Sequence, residues 1–450
     1  LGPRVITNSV GVTGITDREV VGAVNSVAPH PSDADIMFIG AVNGGVWRTR
    51  NATDASPSWD DVSGDLPSLS IGAVAYDPGD ASFQTVLVGA GRYSSSNRRG
   101  STRFGLYRTT NDGDNWFDID GTALDGQSIN AIAANGNLIV VSTGGSVPGQ
   151  GLFLGQNTGG TWQWTQLSGR TPPGATAPIL PAGRTFDLVA DPTIAGRYYT
   201  MNQSGVYRVT LPAAAPENAD WTRVSTAAMN TPLSSATHGR LAIGPGGEVF
   251  VAMSTSGTVL SSFWRSADGS TGWQSLDTPI SSTLDNWFLA LAADPSNGDV
   301  AYVGGGGRES EYRVDASLAS GSQAARITRA GTSSDSMPHA DVRDLRFDAN
   351  GDLIEADDGG VYKQTNPADA TGDWLSLNGN LVATEYLDLA WDAVSHVAMG
   401  GAIDNGTSIQ NGFVRDRWLH IQGGDGGDAA INDTGSAVQS QRYTSSQRLG

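Results

Sequence analysis

Cysteine is missing from this 450-residue chain, and lysine occurs once, as Lys363. Without thiols there is no disulfide framework, zinc–thiolate centre, iron–sulfur cluster or cysteine nucleophile. Positive charge is scarce: 27 Lys and Arg stand against 46 Asp and Glu, a formal charge of −19. Such a surface repels a phosphate backbone, which argues against a nucleic-acid-binding protein. No apolar run reaches the roughly 18 residues that a membrane-spanning helix needs. The N-terminal LGPRVITNSV has neither the basic region nor the apolar stretch of a secretory leader, and it does not begin with Met. Either the protein is not secreted by that route, or its signal has been removed; the missing Met favours a processed or truncated chain. What the chain does have is glycine (59), tryptophan (12) and 38% hydrophobic residues, enough apolar material for a core.

That material is periodic. One phrase recurs: a short apolar run, Asp-Pro, a second apolar run ending in Gly, a Gly-apolar-aromatic-Arg segment, then a Trp. Its full form is Val74 to Pro78, Val86 to Gly89, Gly105 to Thr109, and Trp116. The aromatic before the basic position falls at Trp47, Tyr107, Phe153, Tyr207, Trp264, Tyr312 and Tyr362, at intervals of 46 to 60 residues. A degenerate eighth copy runs through Trp391 and Trp418, and a ninth begins near Ala429. Four short β-like runs in each unit of about 50 residues is the size of a propeller blade, whereas a β-helix needs a shorter period and an immunoglobulin-like array a longer one. The expectation is an all-β propeller of four-stranded blades in a single domain. The repeats divide it at about 21–68, 69–122, 123–169, 170–230, 231–278, 279–333, 334–380 and 381–450. The count predicts eight blades, with the terminal strands completing one blade together. Seven blades with an irregular end is the alternative.

The turn before the Trp has its own pattern. Thr109-Thr110-Asn111-Asp112-Gly113-Asp114-Asn115-Trp116 is the fullest example, Gln156-Asn157-Thr158-Gly159-Gly160-Thr161-Trp162 the second, and Ser266-Ala267-Asp268-Gly269-Ser270-Thr271-Gly272-Trp273 a third, altered one. These turns resemble the Asp-box, or BNR repeat, and the resemblance covers essentially the whole chain. It implies a structural role for Asn111, Gly113, Trp116, Asn157, Gly159, Trp162, Asp268 and Trp273. The Asx side chain accepts backbone N–H groups, Gly takes a positive φ, and Trp packs between blades. Asp-box propellers include sialidases, sortilin-type receptors, xyloglucan-cleaving glycosidases and bacterial secreted proteins of undefined role, and Ala41 to Thr49 and Asp404 to Thr407 look most like the last group, a resemblance that implies a secreted bacterial protein, extracellular or periplasmic, with its signal removed or its chain truncated. The motif speaks for fold rather than for function. The sialidase start is not matched by Gly2-Pro3-Arg4-Val5. Where the xyloglucan-cleaving enzymes carry a catalytic Asp in the first blade, this chain has Val42 and Asn43.

Function therefore rests on residues that do not repeat. Asp341, Asp357 and Asp358 are the candidate catalytic carboxylates, in a segment that also holds His339; the ordinary alternative is solvated turn residues with a loop-fixing His–Asp bond. Arg92, Tyr93, Arg98, Arg99 and Arg103 form a basic insertion suited to an anionic sugar, a phosphate or an acidic partner, or else a solvated loop. Trp287 and Trp391 are candidate sugar platforms or blade-packing residues, and Asp404 is a further binding candidate. Gly423 to Asp428 suggests calcium through Asp425 and Asp428, although one copy of such a turn is equally a plain loop; no cofactor is required. Two functions follow. One is a binding or structural module offering its axial face and loops to a polysaccharide or protein partner. The other is a glycoside hydrolase or lyase using Asp residues on that face.

Overall fold

In the computed structural model, residues 3–144, 149–255, 258–280, 288–369, 371–435 and 438–446 are described. The repeated phrase folds as an antiparallel meander, because Gly, Asp and Asn between the apolar runs close tight turns. Eight sheets carry four consecutive antiparallel strands each, in a propeller-like arrangement. They take residues 24–61, 71–118, 128–166, 187–223, 236–275, 289–326 and 344–376, here blades 1 to 7, and 386–422, the eighth sheet. One short helix, Ala227–Ser234, links blades 4 and 5, capped by the Thr226 hydroxyl. No helix among the described residues is long and apolar enough to cross a membrane.

Seven of the eight sheets surround one axis. The inner strand of each blade packs against that of the next, and blade 7 packs against blade 1. Side chains at the starts of these strands latch the ring. In blades 1, 2, 3 and 5 a bulge there breaks the ladder register, which turns the extra residue toward the neighbouring blade. Asn25 Nδ2 donates to Gly72 O at 2.6 Å, and Asn130 Nδ2 to Thr185 O at 3.0 Å. Asp187 Oδ2 accepts the Leu241 N–H at 2.8 Å, and Asp344 Oδ2 accepts the Val27 N–H at 3.1 Å. The last of these bonds closes the ring from blade 7 to blade 1.

A tryptophan near the outer strand repeats the latch at the rim. Its indole N–H donates to a backbone carbonyl of the preceding blade: Trp116 to Val62 at 2.8 Å, Trp273 to Val224 at 2.9 Å, Trp374 to Ile327 at 2.8 Å. Trp59 donates to Leu377 O at 2.8 Å, again joining blade 1 to blade 7. In blade 3 the bond belongs to Trp164, which reaches Ile119 O at 2.8 Å, rather than to Trp162. There the turn is only Gly159-Gly160, both at positive φ, and the strand pairs without a loop excursion. The inter-blade position therefore falls two residues later, on the same face, with Trp162 stacked on Trp164 at 6.3 Å. The core is a set of apolar seams between blades, such as Phe38, Val74, Val88 and Trp116 between blades 1 and 2.

The Asx-rich turns behave as their chemistry requires. Asn111 Oδ1 accepts the Asn115 N–H at 3.1 Å, and Asp268 Oδ1 accepts Ser270 N–H at 2.8 Å and Thr271 N–H at 2.7 Å. Arg48, at the repeat's basic position, is buried and pairs with Asp114 of the next blade's turn at 3.1 Å, while Arg265 pairs with Asp299 at 2.7 Å. These arginines are part of the scaffold.

The eighth sheet stands beside the ring, on the end that carries the second-to-third-strand turns of blades 1 and 7. Asn43 of blade 1 donates to Glu385, and Asn405 donates to the Asp358 carbonyl of blade 7 at 2.8 Å. The N-terminal strand Val5–Thr7 pairs in parallel with Arg417–Leu419 at its edge, so the terminal segments do meet in one sheet. A two-stranded sheet, Gly426–Asn432 with Gln441–Ser446, packs on the strand Tyr386–Asp392.

Candidate functional site

A cavity of about 940 Å³ runs along the axis of the ring. Its wall is made by the inner strands, and small residues such as Gly72, Ala73, Ala131 and Ala133 keep it open. Among the described residues, six arginines also line it, Arg92, Arg98, Arg184, Arg240, Arg343 and Arg346, against two aspartates, Asp187 and Asp344. In a chain of charge −19 that is a reversal of sign. Both aspartates accept backbone N–H groups, those of Leu241 and Leu188 for Asp187, and those of Val27 and Leu345 for Asp344; Asp344 also pairs with Arg346 at 3.3 Å, and Asp187 lies within electrostatic reach of Arg240.

The basic insertion folds over this cavity. Asn97 and Arg98 take positive φ of 53° and 54°, and the Arg98 N–H bonds back to Ser94 O at 2.9 Å. Ser101 N–H donates to Ser70 Oγ at 2.8 Å, tying the far side of the loop to the ring. Arg92, Tyr93 and Arg98 consequently reach the cavity wall, and Arg99 and Arg103 do not. Burial pushes the Tyr93 phenol up to about 12.

Arg343 holds the loop to blade 7. Its guanidinium pairs with Asp358, donates to Tyr93 O at 2.9 Å and to Ser95 Oγ at 3.0 Å, and lies 5.0 Å over the Phe288 ring. Ser95 Oγ in turn reaches Asp358 Oδ2 at 3.2 Å. Asp404, from a turn of the eighth sheet, hydrogen-bonds the same Asp358; burial first, then the Asp358 charge, raises its carboxyl to about 9. Burial also raises Glu385, which Asn43 meets. His339 is buried, with its Nδ1 3.3 Å from Ala340 O, and burial lowers its pKa. Chain packs tightly around this ring: a Cβ on Gly11 or Gly359 would collide with it.

The structure thus joins Asp358 to Asp404, which the sequence offered separately, and places His339 within electrostatic reach of Asp358. Asp357 points elsewhere: its Oδ1 caps the turn by accepting Gly359 N–H at 2.7 Å and Gly360 N–H at 2.8 Å. It meets Glu355, and with Glu311 these form a cluster of carboxyls between blades 6 and 7, each 1% exposed or less. Burial raises all three, Glu311 to about 8. Asp341 stands apart from these and accepts the Gly307 N–H at 2.7 Å. Trp391 is exposed on the eighth sheet beside His396 and lines no part of the cavity. Trp287 lies outside the described residues. Asp428 lies in the two-stranded sheet and Asp425 in the bend just before it, and among the described residues no three His, Asp or Glu side chains converge as metal ligands would.

Sequence reasoning missed Arg184, Arg240, Arg343 and His238. The available signal was their place: Arg343 directly precedes the inner strand of blade 7, and Arg240 stands in the middle of the inner strand of blade 5, with small or apolar residues on either side of it.

Ring and axial cavity define a β-propeller with an arginine-lined channel. No family model and no curated sequence matches the chain. Solved structures match in fold. An ancestral GH74 enzyme superposes with a TM-score of 0.58 at 16% identity, covering 87% of this chain and 53% of its own. The GH74 enzyme of Niastella koreensis gives 0.59 at 14% identity, covering 88% and 60%. The chain therefore spans between half and two thirds of the length of these enzymes.

Proposed function

We propose that this protein is a secreted binding propeller that takes a polysaccharide chain at the end of its axial cavity, under the loop 92–103. The observation carrying this reading is the cavity itself: about 940 Å³, walled by amide, hydroxyl and guanidinium groups with aromatic faces at Tyr93 and Phe288. That volume and mixture suit an oligosaccharide segment. The likeness of its turns to Asp-boxes and its fold similarity to GH74 enzymes are compatible with such a ligand.

A second reading is hydrolysis, and one feature favours it. Burial raises the Asp404 carboxyl beside Asp358 to about 9, and a carboxyl kept protonated at neutral pH can serve as a general acid. The geometry weighs against it. A glycosidase needs its carboxyls about 5 to 10 Å apart, and these two hydrogen-bond each other, with Asp358 paired to Arg343 and fully buried.

The test is affinity electrophoresis against a panel of soluble neutral and acidic polysaccharides, with reducing ends assayed in the same samples. Retardation without release of reducing ends is expected. Retardation by no polysaccharide overturns the binding reading, and release abolished by Asp404→Asn replaces it with the hydrolytic one.

A further inference from the structure

The axial cavity is selective by charge. We infer that its ligand is an acidic saccharide, whose carboxylate or sulfate ester sits among Arg98, Arg184 and Arg240 beside His238. This rests on the polysaccharide reading above and names the ligand's class.

Three blades contribute side chains to the cluster, and a fourth supplies a backbone carbonyl. Arg98 comes from the blade 2 loop, Arg184 from the segment entering blade 4, and His238 and Arg240 from the inner strand of blade 5. Arg343 of blade 7 accepts the Arg240 Nη2 on its carbonyl at 3.3 Å. The side chains are close enough to feel one another. The His238 imidazole is held well below its usual range by burial and then by Arg240, Arg184 and Arg98, and burial and Arg98 together lower Arg184.

Backbone carbonyls hold Arg184 and Arg240 in place, and the Asp187 carboxyl lies within electrostatic reach of Arg240 alone of these two. Arg184 Nη2 donates to Thr237 O at 2.7 Å and its guanidinium lies 4.9 Å over Phe186, while Arg240 Nε donates to Leu289 O at 2.8 Å. His238 Nε2 is buried with no hydrogen-bond partner. Gathering like charges inside a protein is costly unless an anion joins them. Carbonyl bonds fix the guanidinium planes without neutralising them, and planar forks suit the two oxygens of a carboxylate or sulfate. A free ion would fill only a corner of about 940 Å³. The remaining wall, with Asn25, Asn97, Asn130, Ser128 and the Tyr93 ring, offers the hydrogen bonds and aromatic face that sugar rings use.

Calorimetry would compare four probes on the whole protein: an oligogalacturonate, the same oligomer with its carboxyls reduced to alcohols, a sulfated oligosaccharide, and citrate. The acidic oligomers should bind about 10-fold or more tighter than the reduced one, and less tightly as salt rises. Arg184→Gln and, in the loop, Arg98→Gln should each remove most of that difference while leaving the melting transition in place. Whichever acidic oligomer binds tighter identifies the oxyanion. Equal binding of acidic and reduced oligomers overturns the charge selectivity and leaves the polysaccharide reading standing. Citrate binding as tightly as either acidic oligomer keeps the anion site and overturns the saccharide. Binding of none overturns both.

Discussion

At the residue scale the most telling groups are those buried against their chemistry. Glu355 has 0% exposure, and burial first, then the nearby Glu311 and Asp357, raise its carboxyl well above the usual range. Glu311, beside them, is raised from an ordinary 4.5 to about 8 by burial. The native state therefore holds protons that the unfolded chain has released over that interval, so stability falls as pH rises from about 4.5 to about 8. Glutamine mimics the protonated side chain and does not titrate. Glu311→Gln and Glu355→Gln should each flatten the decline, and melting temperatures across pH 5 to 9 read it directly. A variant that melts with the same pH slope as the parent would show that these carboxyls are ionised in the fold. Nothing in the sequence disclosed this cluster. Glu311 and Glu355 lie 44 positions apart on different blades, and only Asp357 attracted attention, for a catalytic role that its turn-capping bonds do not support.

At the scale of elements, the turn at 357–360 and the insertion at 92–103 are held together by one buried ion pair. Arg343 and Asp358 are 6% and 0% exposed. Removing one partner strands the other charge, so Arg343→Met should cost about 3 to 5 kcal/mol. Pairing it with Asp358→Asn should recover much of that loss, since no lone charge remains. Urea unfolding of the two single variants and the double closes the cycle; additive losses would mean the pair does not couple. Legibility at this scale was uneven. The insertion stood out because arginine is rare here and the repeat is broken. Its turn and its partners were invisible, because Arg343 and Asp358 are some 250 residues from Ser95 and nothing local marks them. Tryptophan spacing located the rim latch in blades 1, 2, 5 and 7. It misplaced the latch in blade 3, where a two-residue turn lengthens the paired strand and moves the position to Trp164.

For the whole molecule, repetition made the architecture readable and left the ring size open. Every blade carries the same phrase, so counting copies yields eight sheets without saying which of them share an axis. The bonds that decide this join distant parts of the chain. Asp344 meets Val27, and Trp59 meets Leu377, so seven blades close the ring and the eighth sheet leans against it. The closing seam differs from the others in one respect: the residues across it are more than 300 positions apart, so its formation carries the largest loop-closure entropy. Trp59→Phe and Trp116→Phe delete the same indole hydrogen bond, one at the closing seam and one between consecutive blades. Each leaves a buried carbonyl without its donor and should cost about 1 to 3 kcal/mol at equilibrium. Their kinetics should separate. If the ring closes late, Trp59→Phe speeds unfolding with little change in folding rate, whereas Trp116→Phe, within a local pair of blades, also slows folding. Chevron plots of the two variants measure this, and equal effects on both limbs would mean that the closing seam forms no later than its neighbours.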